Sequence, residues 1–114
     1  MEKSNSLKDQ QLYGRRTWNL LHSMSAYFPE KPTEEDKTGA REFVELFMEV
    51  GIDYPQWGER FLRHMREKDS IDLTDRQRFS EWMCRQHNRV NNERGKPEFD
   101  CTYENLRKRW GPPL

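Results

Sequence analysis

The residues best suited to carry chemistry lie on a predicted helix in the C-terminal third of the sequence. Cys84, His87 and Asn91 are spaced three and four positions apart, so they share one face of that helix. Cys101 follows after a short loop, and these are the two cysteines of the sequence. They could form a single disulfide bridge. Zinc is a second possibility, because Cys84 and His87 have a helical ligand spacing that Cys101 could join, although no fourth ligand is evident.

Apolar residues at helical spacing predict four helices and a short fifth, without strand alternation between them. The first helix is predicted from about Leu12 to Phe28, followed by two prolines that stop it. Thr33 is expected to cap the second helix, and Gly51 to end it. The predicted buried face of the second helix comprises Ala40, Phe43, Val44, Phe47 and Met48.

The remaining helices follow from their start signals. Pro55 is placed in the first turn of the third helix, and Thr74 with Gln77 forms a predicted capping box at the start of the fourth. Thr102 is expected to cap the short fifth helix. The predicted inward residues are Trp57, Phe61, Leu62 and Met65 on the third helix and Phe79, Trp82, Met83 and Val90 on the fourth. The fold class is therefore all-α, a four-helix bundle plus a short fifth helix.

Composition limits the classes of function. The 114 residues fit one domain, predicted at 12–114 after a flexible N-terminal segment at 1–11. Twenty basic and twenty acidic residues cancel, which argues against the basic surface of a nucleic-acid binder. No apolar run approaches the roughly 20 residues of a membrane span. Fourteen aromatic residues and five methionines supplement a thin aliphatic core.

Two separate blocks of sequence resemble the Erv/ALR family of FAD-dependent sulfhydryl oxidases. One block reads WMCRQHNRVN at 82–91 and continues with GKPEFDC at 95–101. The other reads GRRTWNLLHSMSAYFP at 14–29. The resemblance extends from about Leu12 to Trp110, with both blocks in the order and spacing of the family. It implies the family's helical bundle, its noncovalent FAD and its usual homodimer. A place as a subunit of a hetero-oligomeric complex is the other expectation for its protein partners.

The family likeness also implies a cofactor site. FAD requires flat apolar surfaces for its rings, hydrogen-bond partners for the ring edges and ribose, and cations for its pyrophosphate. The residues expected to contact FAD are Gly14, Arg15, Trp18, His22, Tyr27, Cys84, His87, Asn88, Val90, Asn91, Lys96, Phe99 and Trp110. Without the resemblance, these aromatic rings and histidines would be interpreted as ordinary core or surface residues. The resemblance further implies a structural disulfide between Cys84 and Cys101. Because no fourth ligand is evident, we expect no metal.

One family feature is missing. Family oxidases carry a Cys-x-x-Cys after a Tyr-Pro pair, whereas here Tyr54-Pro55 is followed by Gln56-Trp57-Gly58-Glu59. Flavin reduction by thiols needs that pair, because one thiolate attacks the flavin and the second resolves the adduct as a disulfide. We therefore expect no catalytic residue and a pseudo-oxidase that keeps FAD.

Such a pseudo-oxidase would serve as a structural or assembly subunit of a larger mitochondrial complex, in the intermembrane space. Two alternatives remain open. In the first, the protein is an active thiol oxidase that takes electrons directly from a partner's dithiol. In the second, it is a cofactor-free helical interaction module.

Overall fold

The computed structural model describes residues 7–51 and 55–112, and within these ranges every regular element is helical. The elements are α1 (Leu7–Ala26), α2 (Glu34–Leu46), a π-helical segment (Phe47–Gly51), α3 (Pro55–Glu67), α4 (Arg76–Glu93) and α5 (Tyr103–Trp110). The predicted all-α architecture, four helices and a short fifth, is confirmed. None of the described helices is both long enough and apolar enough to cross a lipid bilayer.

The first helix is displaced toward the N-terminus relative to its predicted position, since it begins at Leu7 rather than Leu12. Phe28 lies beyond its end, but the side chain is buried and meets the ring of Phe79 edge-on, with centroids 5.0 Å apart. Arg76, at the start of α4, donates from Nε to the carbonyl oxygen of Phe28 at 2.6 Å. The turn after α1 is thereby fixed against α4.

The predicted N-cap residue is found at α2 but not at α4. Thr33 caps α2 as predicted: its hydroxyl accepts from the backbone N–H of Asp36 at 3.0 Å, and the Asp36 carboxylate accepts from the N–H of Thr33 at 2.9 Å. The prediction of Thr74 as the cap of α4 is wrong. Asp75 caps this helix, because the Thr74 hydroxyl is engaged as a donor to Asp72 at 2.6 Å.

Helix α4 runs through the centre of the core. All four of its residues predicted to face inward are buried, and they pack with residues from each of the other three long helices. The buried apolar set is Leu21, Phe28, Val44, Met48, Met65, Ile71, Leu73, Phe79, Trp82, Met83 and Val90. The predicted burial of Phe43 is wrong, because this side chain is 40% exposed on the outer edge of the α2 stripe. The prediction for Trp57 and Phe61 concerns side chains outside the described part of the structure.

Two covalent or polar ties hold the last helix and the α3–α4 loop on α4. Cys84 and Cys101 form a disulfide with their Cα atoms 5.7 Å apart. Thr102, the predicted N-cap of α5, comes directly after this bridge and accepts from a backbone N–H in the first turn. On the other side of α4, the carboxylate of Asp69 receives hydrogen bonds from Arg85 and from the buried Gln86. The site described below lies where α1, α4 and α5 meet.

Candidate functional site

A cavity of about 710 Å³ opens between α1, α4, α5 and the loop that follows α4. This volume lies within the range of about 300 to 1,000 Å³ that is usual for small-molecule sites. Ten of the predicted cofactor residues line it: Gly14, Arg15, Trp18, His22, His87, Val90, Asn91, Lys96, Phe99 and Trp110. Segments far apart in the sequence therefore form one cavity wall.

The cavity walls contain two parallel pairs of aromatic rings. Trp18 stacks on His87 with centroids 4.1 Å apart and planes within 5°. His22 stacks on Trp110 at 4.4 Å and 8°. Trp18 and His22 are one helical turn apart on α1, so they present neighbouring rings to partners from α4 and α5. The arrangement supplies the flat, apolar surfaces on which a heteroaromatic ring can pack.

The two histidines are joined by a hydrogen bond between His22 Nε2 and His87 Nδ1, 2.8 Å apart. Burial lowers the pKa of His22 to about 3, with His87 and Arg109 adding to the effect. Burial, assisted by Lys96, lowers the pKa of His87 to about 4. At neutral pH both imidazoles are therefore uncharged, and one donates the shared proton while the other accepts it.

Two polar atoms at the cavity have their hydrogen-bonding capacity unused. Among the described residues, no hydrogen-bond partner reaches His22 Nδ1 or the indole Nε1 of Trp110, and both atoms are buried. Such orphaned buried groups carry a desolvation cost, and a ligand that pairs with them removes it. The two residues thus combine ring surface with polar edges.

The rim of the cavity is cationic. Arg15, Arg94, Lys96 and Arg109 line it together with a single acid, Glu98. The guanidinium of Arg109 also lies 4.0 Å from the centroid of the Trp110 ring, in cation–π geometry. A rim of this charge favours an anionic group, and guanidinium groups suit phosphate oxygens in particular.

Five residues of the cavity are absent from the predicted set: Asn19, Arg94, Pro97, Glu98 and Arg109. Arg94 follows Asn91 by one helical turn, so its position on the same face of the chain was a usable signal. Pro97 and Glu98 lie between two predicted residues. Arg109 precedes Trp110, and only the tertiary contact with that ring distinguishes it from an ordinary surface arginine.

Three predicted cofactor residues do not line the cavity. The side chain of Tyr27 is 59% exposed, and its hydroxyl lies against the backbone of Gly111. Cys84 is buried in its disulfide behind the cavity wall. Asn88 uses its amide to bond the peptide of Phe99. The same disulfide removes both sulfurs from any zinc site, and no cluster of three metal-ligating side chains occurs in the described ranges.

A helical bundle with stacked aromatic walls and a cationic rim defines a binding domain for an anionic ligand that carries flat rings. The chain belongs to the Erv1 / Alr family, whose match covers residues 15–111. It is similar to the mitochondrial FAD-linked sulfhydryl oxidase ERV1 of Saccharomyces cerevisiae, with 36% identity over 104 residues, or 90% of this chain and 52% of the relative. It is also similar to the FAD-linked sulfhydryl oxidase ERV1 of Oryza sativa, with 35% identity over 86% of this chain and 48% of the relative. The chain thus spans about half the length of these curated relatives.

Solved structures have the same fold. The FAD-binding domain of Erv1 from Saccharomyces cerevisiae superimposes with a TM-score of 0.80 and 33% identity, covering 88% of this chain and 91% of that domain. The yeast Erv1 core gives a TM-score of 0.81 and 30% identity, covering 96% of this chain and 86% of the core. The family and the fold expected from the two sequence blocks are confirmed.

Proposed function

We propose that the protein binds FAD in this cavity as a degenerate sulfhydryl oxidase and serves as a structural or assembly subunit of a larger mitochondrial complex. The observation that carries the proposal is the cavity itself, in which two stacked ring pairs and a cationic rim occur together with a disulfide that occupies both cysteines. The relatives named FAD-linked supply the identity of the ligand.

The described residues fit FAD by their chemistry. Trp18, His22, His87 and Trp110 provide ring surface, and the orphaned atoms on His22 and Trp110 provide polar partners for ring edges or ribose. The rim cations offset the two charges of the pyrophosphate. The neutral histidine pair also avoids placing buried positive charge against the cofactor rings. When bound, FAD supplies an acceptor for two electrons.

The cysteines argue for a structural role. Cys84 and Cys101 are the cysteines of the 114 residues, and they are bonded to each other. A thiol pair able to reduce the flavin would have to come from outside these residues. A ligand that binds only the folded state stabilises it, by about 2.7 kcal/mol at a concentration 100 times its dissociation constant. Retained FAD is thus sufficient to strengthen a small bundle without any turnover.

The proposed partners are proteins, with the intermembrane space as the compartment. Two relatives, from budding and fission yeast, carry the word mitochondrial in their names. Large apolar side chains remain exposed on α1 and α2, namely Leu20, Phe43 and Leu46. Such residues suit contact with a second copy or with another subunit.

The test begins with native purification from mitochondria, in which one sample is read for flavin absorbance, bound-flavin stoichiometry and co-purifying proteins. We expect about one FAD per chain and a stable set of partner subunits. Protein without a flavin band would contradict the cofactor assignment and favour the interaction module. Rapid flavin bleaching by added dithiols, followed by oxygen consumption, would instead establish an active oxidase.

A restored thiol pair provides the matched control. The double variant Gln56→Cys/Glu59→Cys places cysteines at the positions where the family resemblance expects them. We expect this variant to consume oxygen with a dithiol substrate, whereas the wild type and the double variant Gln56→Ser/Glu59→Ser do not. Dithiol-dependent oxygen consumption by the wild type itself, above that of the serine variant, would refute the pseudo-oxidase assignment.

A further inference from the structure

The side-chain amide of Asn88 is fully engaged inside the protein. Its oxygen accepts from the backbone N–H of Phe99 at 2.8 Å and from Nδ2 of Asn91 at 3.2 Å. Its nitrogen donates to the carbonyl oxygen of Phe99 at 2.9 Å and contacts Sγ of Cys101 at 3.3 Å. A primary amide offers two lone pairs and two N–H groups, so all four positions are taken. Asn88 has no capacity left for a cofactor.

The orientation of this amide is determined by the backbone. Phe99 presents both an N–H and a carbonyl group to Asn88, so a flipped amide would set oxygen against oxygen and nitrogen against nitrogen. Because the Asn88 oxygen is the atom that faces Asn91, Asn91 must present its amide nitrogen, as a donor, to Asn88. Asn91 lines the cavity, and its amide oxygen and its second N–H remain for a ligand.

We propose that Asn88 is a positioning residue: it holds the Phe99 wall of the cavity and sets the orientation of Asn91. The Asn91 oxygen is thereby offered as an acceptor to a ligand that presents an N–H or O–H group at this point. The ligand that the proposal takes is FAD, whose adenine amine and ribose hydroxyls are such donors, so this part rests on the proposed function. The Phe99 clamp is independent of it.

Hydrogen exchange tests the clamp. Asn88→Ala should accelerate exchange of the Phe99 amide about tenfold or more, as expected from the loss of a net hydrogen bond. Asn92→Ala is the control, because the amide of exposed Asn92 bonds the Glu98 side chain of the same loop at 2.7 Å rather than the Phe99 backbone. The control should leave Phe99 exchange within about threefold of the wild type. Equal Phe99 exchange in Asn88→Ala and the wild type would overturn the assignment.

A double-mutant cycle on FAD affinity tests the orientation of Asn91. In the wild-type background, Asn91→Leu should raise the Kd of FAD about tenfold, since it removes the acceptor. In the Asn88→Ala background the same change should cost less than about threefold, because Asn91 is no longer oriented. Equal factors in both backgrounds would show that Asn88 acts only as general structure and would overturn the proposal.

The two arms separate this proposal from the proposed function. Wild-type protein that binds no FAD would refute the proposed function, and the clamp would then stand or fall by the Phe99 exchange rates alone. A loss of FAD affinity in Asn88→Ala with unchanged Phe99 exchange would make Asn88 a direct ligand. That result also overturns the positioning role.

Discussion

Acidification should unfold the protein through the two histidines of the cavity wall. In the folded protein His22 and His87 have pKa values of about 3 and about 4, whereas a histidine of the unfolded chain has a pKa of 6.5. Below pH 6.5 the unfolded chain binds protons at both positions, while the folded pair stays neutral until about pH 4. Unfolding therefore takes up protons in this window, and the stability present above pH 6.5 is lost as the pH falls.

The size of this effect follows from the two pKa differences. At pH 5 each histidine disfavours the folded state by about 2 kcal/mol relative to pH 8, which gives about 4 kcal/mol for the pair. Between pH 6 and pH 5 the free energy of unfolding should fall by about 2 kcal/mol, because unfolding takes up somewhat fewer than two protons in this interval. A small domain is stable by about 5 to 15 kcal/mol, so a loss of this size is a large fraction of the total.

The assay is urea unfolding at a fixed FAD concentration between pH 8 and pH 5, followed by far-UV circular dichroism. His87→Gln should reduce the pH dependence to about half, because one titrating group remains in the wall. His64→Gln is the matched control, since His64 lies outside the cavity lining, and most of the pH dependence should persist in it. A free energy of unfolding that is the same at pH 8 and pH 5 in the wild type would refute the reasoning.

Three other perturbations have defined outcomes. Cys84→Ala should lower the free energy of unfolding by about 3 kcal/mol, because the disulfide spans 17 residues, and should loosen FAD; unchanged melting and flavin content would contradict this role. Gly111→Ala should lower the free energy of unfolding by about 1 to 2 kcal/mol, because φ is +91° and a Cβ would meet the Tyr27 hydroxyl. Gly39→Ala, on an open helix surface, should instead raise it by about 0.5 to 1 kcal/mol. A higher urea midpoint for Gly111→Ala than for Gly39→Ala would contradict this argument. Lys96→Gln should raise the Kd of FAD about tenfold at low salt and less at high salt, as fluorescence titration would show; equal affinity at low salt would place the phosphates away from Lys96.

Local signals were sufficient for the helices and for much of the core. The stripe on α4 predicted buried Phe79, Trp82, Met83 and Val90, because helical spacing alone decides which residues share a face. The sequence did not distinguish Thr74 from Asp75 as the N-cap of α4, since both residue types are suitable. The choice depends on the hydrogen bond from Thr74 to Asp72. Helical spacing also does not show how wide the buried stripe of a helix is. Phe43 lies at the edge of the α2 stripe and is exposed.

The site depended on contacts between distant parts of the chain. The bond between His22 and His87 joins positions 65 residues apart, and no local spacing predicts it. The family resemblance predicted that these residues belong to one site, but it could not show which side chains line the cavity and which support its wall. Tyr27 and Asn88 match the family segments but do not line the cavity. The Tyr27 hydroxyl lies beside Gly111, and the Asn88 amide bonds the backbone of Phe99. Arg109 was missed because nothing in the sequence separates it from other surface arginines. Its contact with the Trp110 ring is visible only in the structure.

The walls of the cavity come from positions 14–22, 87–99 and 109–110, which are up to 96 positions apart in the sequence. During synthesis, the α1 residues of the cavity wall are made before those of α4, and Trp110 of α5 is made after both. A cavity wall with all three segments therefore forms only after α5 has been made. A nascent chain stalled before α5 emerges would lack Arg109 and Trp110, and His22 would then have no ring to stack on.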